Sequence, residues 1–267
     1  MPNPPLTKKT LTLEGYISAF GIQEKEAYST QNTCGGAFAV PRKWTFHIRL
    51  TQAGALPDGK AGHYALHLTT SSEEQKDQIV SRLVALQSSV SVIRFDAPLS
   101  FVNYSARNSS PEERLRVGVT LGFPISALDE GAIVTDPDRQ NYRDRLMVHL
   151  DGTIVQYGRE RRGDRLVYSG PRVRMVKGTT IRQHVLLLAP GCSAQGHLGR
   201  FGLVIDTEGM SEVAYVERAI AWLCEHEIPL SFDTPVDYFQ YRDKETDDFR
   251  CGSLLRLPIE VFDAVPV

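Results

Sequence analysis

The chain has no run approaching the 18 or so consecutive apolar residues of a membrane span, and MPNPPLTKKT places prolines where a signal peptide needs an apolar stretch. A soluble, cytoplasmic protein is the expectation. The four cysteines (Cys34, Cys192, Cys224, Cys251) form no C-x-x-C pair, which argues against a zinc site or a disulfide framework and for reduced thiols serving packing. Gly-rich phosphate loops, G-x-S-x-G and H-E-x-x-H are also missing, so no familiar cofactor, metal or nucleophile signature is on offer. No tract is poor enough in apolar residues to stay unfolded, since hydrophobic residues make up 42% of the chain and charged ones 23%. A length of 267 residues suits two domains, each able to bury a core unaided.

What is present is a repeat. FDAPLSFVNY (95–104) and FDTPVDYFQY (232–241) share Phe-Asp-x-Pro and a closing Tyr, at an offset of 137. The same offset pairs Leu13, Gly15, Ile17 and Gly21 with Leu150, Gly152, Ile154 and Gly158, and His47 with His184. Without gaps, 13–104 against 150–241 gives 16 identities in 92 positions, where ordinary composition gives roughly 5 or 6. A period this long indicates two copies of a domain rather than a solenoid. The expected organisation is a first repeat over 1–123, a linker over 124–145 and a second repeat over 146–267.

Within each copy, alternating apolar residues predict strands at Thr10–Ile17, Trp44–Thr51 and His63–Thr70, with counterparts at Val148–Ile154, Ile181–Leu188 and Arg200–Asp206. The glycine shared inside the first strand suggests a bend or bulge there. One amphipathic helix follows, with Ser71 and Glu74 at capping-box spacing and Ile79, Leu83 and Leu86 on one face; Val213, Val216, Ile220 and Leu223 repeat that face. Two more strands complete a β-β-β-α-β-β order. This mostly β, α+β arrangement with one helix per repeat is that of a small OB-like β-barrel in tandem duplication. A ferredoxin-like repeat ranks second, because 22–43 lacks the helical spacing it needs after the first strand. The Asp-x-Pro of the shared motif reads as a strand-to-strand turn.

The copies diverge in one place. Segments 22–46 and 159–183 share no identity, and the second carries eight cations against two acids over 159–182, in a chain of net charge −2. Arg159, Arg161, Arg162, Arg165, Arg172, Arg174 and Lys177, with Tyr157 and Tyr168 interleaved, suit a phosphate backbone and stacked bases. In the first copy Arg42, Lys43 and Trp44 offer a weaker version, although a Trp opening a strand usually belongs to the core. The plainer alternative for the basic segment is a solvated hairpin whose arginines pair with nearby acids.

The expectation is a non-enzymatic protein that binds single-stranded DNA or RNA. The alternative is an assembly or adaptor protein whose duplicated β domains meet protein partners. A nuclease built on the matched pairs His47/His184 and Asp96/Asp233 ranks below both, since a matched His on a strand is more often structural. His67-Leu68-Thr69 matches half of a paired H-x-T phosphoesterase signature, but Val204-Ile205-Asp206 stands where the other half belongs. Two OB-like repeats with a basic, aromatic ribbon resemble single-stranded-DNA-binding proteins that carry two OB domains per chain. The sequence departs from the bacterial members in ending IEVFDAVPV rather than in an acidic tail closed by Phe.

Overall fold

The computed structural model describes residues 8–31, 37–56, 59–104, 115–134, 145–161, 165–169, 172–176, 180–193, 196, 198–242, 248–263 and 265–266. The first half runs β1 (Thr10–Lys25), β2 (Tyr28–Gln31), β3 (Ala37–Val40), β4 (Lys43–Thr51), β5 (His63–Thr70), α1 (Glu73–Ser89), β6 (Val92–Asn103) and β7 (Val117–Gly122). The second runs β8 (Met147–Arg161), β9 (Arg165–Ser169), β10 (Arg172–Val176), β11 (Thr180–Leu188), β12 (Arg200–Glu208), α2 (Met210–Glu225), β13 (Leu230–Arg242) and β14 (Phe249–Arg256). The fold is mostly β, with two α-helices among the described residues.

In the first half, β1 pairs antiparallel with β4 and β6, β4 with β5, and β6 with β7. The ring closes through a short parallel contact of β5 on β7, Leu66 opposite Leu121. The second half repeats the circuit through β8, β11, β12, β14 and β13, closing at Leu203 opposite Leu255. A closed five-strand ring leaves few unpaired edges. The topology is compatible with the OB-like reading.

Strand alternation explains the core. Leu13 and Ile17 of β1, Phe46, Ile48 and Leu50 of β4, and Leu66 of β5 point inward and are at most 1% exposed. Helix α1 closes this barrel with Ile79, Leu83 and Leu86, and α2 presents Val213, Val216, Ile220 and Leu223 in the same role. The α1 N-cap is Ser72, whose hydroxyl accepts the Gln75 N–H at 3.2 Å, one residue beyond the Ser71 that spacing alone suggested. The Thr70 hydroxyl accepts the Ser72 N–H and so occupies the turn before the cap. Within the expected linker, 3-10 turns at Ile125–Leu128 and Glu130–Ala132 bury Ala127 and Leu128, so this segment belongs to the packed body.

Two local expectations are corrected. The bulge of the first strand falls at Ser18 and Val155, three residues past the shared glycine. Gly15 and Gly152 serve close approach instead: a Cβ would stand 2.6 Å from Thr51 O and 2.4 Å from Leu188 O. The Asp-x-Pro motif is also no turn. Strand β6 continues through it but changes partner, pairing β1 as far as Pro98 and β7 from Leu99. Asp96 accepts a hydrogen bond from the Thr12 hydroxyl at 2.6 Å, and Asp233 one from His149 Nδ1–H at 2.9 Å, each with the residue opposite it on the neighbouring strand.

The halves meet along β7 and β14, where Val119 and Ser253 face each other in an antiparallel bridge. Contacts flanking the bridge occur as related pairs. Gly21 lies against Phe249 O and Gly158 against Leu115 O, so close that a Cβ would stand at 2.3 and 2.9 Å. His47 lies 3.2 Å from Cys251 O, and His184 the same distance from Val117 O.

Candidate nucleic-acid interface

Between β8 and β11 the chain leaves the barrel as the ribbon β9–β10, as it does with β2–β3 in the first half. Arg172 pairs with Ser169, Val173 with Tyr168, Arg174 with Val167, and Val176 with Arg165. Arg165, Arg172 and Arg174 therefore occupy positions of one parity and Tyr168 the other, the arrangement strand alternation requires of a two-faced ribbon. Arg161 ends β8 opposite Ile181. Arg162 and Lys177 lie outside the described residues.

At the base of the ribbon, Tyr157 is 42% exposed and borders an open groove with Arg159, Gln183, Glu217, Arg218 and Ala221. Arg159 is tied to α2: its Nη1 donates to Glu217 Oε1 at 3.2 Å, and Gln183 Nε2 donates to the same oxygen at 3.1 Å. A half-exposed pair of this kind is weak in water.

The first-half candidates are placed differently. Arg42 contacts both Glu24 and Glu26 at 3.1 Å and lies over the Trp44 ring at 6.0 Å. Lys43 is exposed at the start of β4, directly opposite Lys25. Trp44 is 5% exposed and joins the core, with the Lys76 ammonium 5.4 Å from its ring centre. Its indole packs the barrel and offers no open face for a base, because the apolar parity of β4 begins at this residue. These three positions and the second-half ribbon lie in different halves and do not form one cluster of described contacts.

A cleft of about 490 Å³ runs along the seam, bordered by Tyr104, Arg116, Glu160, Arg182, Asp237 and Phe239 among others. Its cations are largely engaged by acids. Arg182 grips Asp206 through two bonds of 2.6 and 2.7 Å, and Arg256 donates to Asp237 and Asp206 at 2.8 and 3.3 Å.

The matched histidines are structural in this geometry. His184 Nδ1 accepts the Val117 N–H at 3.2 Å while Nε2–H donates to Glu160 Oε2 at 3.1 Å. His47 has Gln23 Oε1 at 3.4 Å from Nε2 and His67 Nε2 at 3.0 Å from Nδ1. Burial holds both His47 and His184 below the ordinary imidazole pKa, and His67, desolvated and beside His47, is lowered to about 4. All three stay neutral near neutral pH. Asp96 and Asp233 bond other partners on other strands, so the composite site imagined from the matched pairs is not assembled.

Sequence reasoning passed over Phe239, Tyr241 and Arg250. The signal was present in YFQYR, where aromatics alternate beyond the last residues needed for the core. Tyr104 belongs with them: its hydroxyl pKa is raised by burial and then by the Tyr241 phenol beside it.

No protein-family model and no curated protein sequence matches the chain. Among solved structures, the wild-type single-stranded DNA binding protein from Thermus aquaticus is similar over 92% of this chain and 88% of that one, at 12% identity and a TM-score of 0.27. The functional reading below rests on the site itself.

Proposed function

We propose that this is a non-enzymatic protein that binds single-stranded DNA or RNA, built from two OB-like copies over 1–123 and 146–267 joined through 124–145. The observation that carries this reading is the β9–β10 ribbon. It forms a two-stranded sheet of its own and concentrates arginines at one parity of its register within a segment of eight cations and two acids. A ribbon projecting from the connection between the first two barrel strands can follow a flexible strand, with arginine forks on phosphates and Tyr157 and Tyr168 against bases. The matching registers and paired seam contacts of the two halves support descent from one duplicated domain.

The test is fluorescence anisotropy with a labelled single strand across a salt series. Each phosphate contact steepens the dependence of log K on log salt by roughly 0.7 for single strands. Removing two contacts with Arg172→Ala plus Arg174→Ala is expected to make the slope shallower by about 1 to 1.5. Absence of binding to any single strand at low salt contradicts the proposal.

A further inference from the structure

Phe239 and Tyr241 are large aromatics left 41% and 49% exposed, with rings nearly parallel (19°) and centres 6.1 Å apart. Neither belongs to the hydrophobic core clusters. Residues directly opposite in an antiparallel pair share a face, and here Phe239 faces Gly252 while Tyr241 faces Arg250. The glycine is needed for the arrangement: a Cβ at Gly252 would stand 2.3 Å from Phe239 Cζ. Its counterpart on β7, Gly118, lies in the same way beneath Tyr104, where a Cβ would be 2.8 Å from Cε2. Rings from both halves are thus laid onto the two seam strands. Arg250, opposite Tyr241, is 4% exposed, with Nη2 3.5 Å from Asp248 Oδ2 and Nη1 without a hydrogen-bond partner among the described residues.

We propose that the β13–β14 hairpin is a second contact for the strand, with Phe239 and Tyr241 stacking on nucleobases and Tyr104 of the first half extending the platform across the seam. This rests on the single-strand reading above and adds a base-directed site to a backbone-directed ribbon. Nucleic acid is the occupant these residues favour. Stacked, exposed rings match the faces of successive bases, and Arg250, directly opposite Tyr241, adds a cation to the same face, which favours an anionic partner over a purely apolar one. Because every base has a face to stack, the site is tolerant of sequence.

The experiment compares the full chain with Phe239→Leu plus Tyr241→Leu, using a labelled oligothymidine and an abasic strand of equal length. Leucines keep apolar bulk over Gly252, and unchanged thermal melting verifies the fold. For the wild type, affinity for oligothymidine exceeds that for the abasic strand. In the double variant oligothymidine affinity falls by at least about fivefold per ring, abasic affinity is unchanged, and the salt slope is retained. A folded double variant that binds oligothymidine like the wild type overturns the inference while leaving the ribbon in place. A loss that is equal on both strands also overturns it, since the rings then do not act through bases. If instead only the Arg172→Ala plus Arg174→Ala variant is without effect, the ribbon assignment fails and the stacking site stands.

Discussion

At the scale of single residues, the most consequential feature is the trio His47, His67 and Cys251. Two imidazoles crowd one carbonyl across the seam, with ring centres 4.7 Å apart. The hydrogen bonds are satisfied when His67 Nε2–H donates toward Cys251 O and His47 Nδ1 while His47 Nε2–H donates to Gln23; His67 Nδ1, with no partner among the described residues, is then only a spare acceptor. Protonating His47 at Nδ1 would place two donors face to face, and protonating His67 would add a charge and a second donor at its buried Nδ1. His67 titrates near 4 when folded against 6.5 when unfolded, so below about pH 6.5 the unfolded chain takes up a proton that the folded chain refuses. Its contribution is fully present above that pH and is lost progressively toward pH 4, reaching on the order of 3 kcal/mol. Denaturant melts of the wild type and His67→Gln between pH 7 and pH 4 are expected to converge as acid is added, the variant having the shallower slope. Trp44 supplies a second check at this scale: with its ring in the core, Trp44→Phe should leave strand affinity unchanged while costing about 1 kcal/mol or more of stability.

At the scale of elements, strand periods and helix faces were legible because burial on one side writes itself into alternation. The helix face of Ile79, Leu83 and Leu86 was recovered from spacing alone. Its cap was displaced by one residue because Ser71 and Ser72 are chemically equivalent in sequence, and only the Thr70 hydroxyl, which accepts the Ser72 N–H, distinguishes them. Ser72→Ala should therefore cost about 1 kcal/mol, and Ser71→Ala much less, in thermal or denaturant melts. The Asp-x-Pro motif misled for a physical reason: a strand that swaps partners at Pro98 carries the same residues as a turn. The ribbons β2–β3 and β9–β10 were visible only as diverged, non-helical segments, since each forms a two-stranded sheet of its own outside the barrel circuits.

For the whole molecule, the offset of 137 matched two halves that have the same strand circuit, but the sequence held no hint of how they meet. Several seam contacts are made by backbone and small residues, such as Gly21 against Phe249 O and Gly202 against the Gly118 backbone. Glycine identity alone does not reveal its neighbour. Gly21→Ala would bring a methyl group against a carbonyl oxygen in both barrels' shared seam and is expected to lower stability by about 1–3 kcal/mol, with the loss read as a fall in the unfolding midpoint. The exposed rings were missed because the alternation of YFQYR continues that of the buried positions before it, and only its length past the core residues sets them apart.

In the proposed function, a basic ribbon on the second half grips the backbone of a single strand. Salt-dependent anisotropy on the wild type and the Arg172→Ala plus Arg174→Ala variant tests it most directly. Tight binding at low salt that weakens steeply as salt rises is expected, with a slope shallower by about 1 to 1.5 in the variant. Binding whose slope is identical in the two proteins, or no binding at low salt, would contradict it.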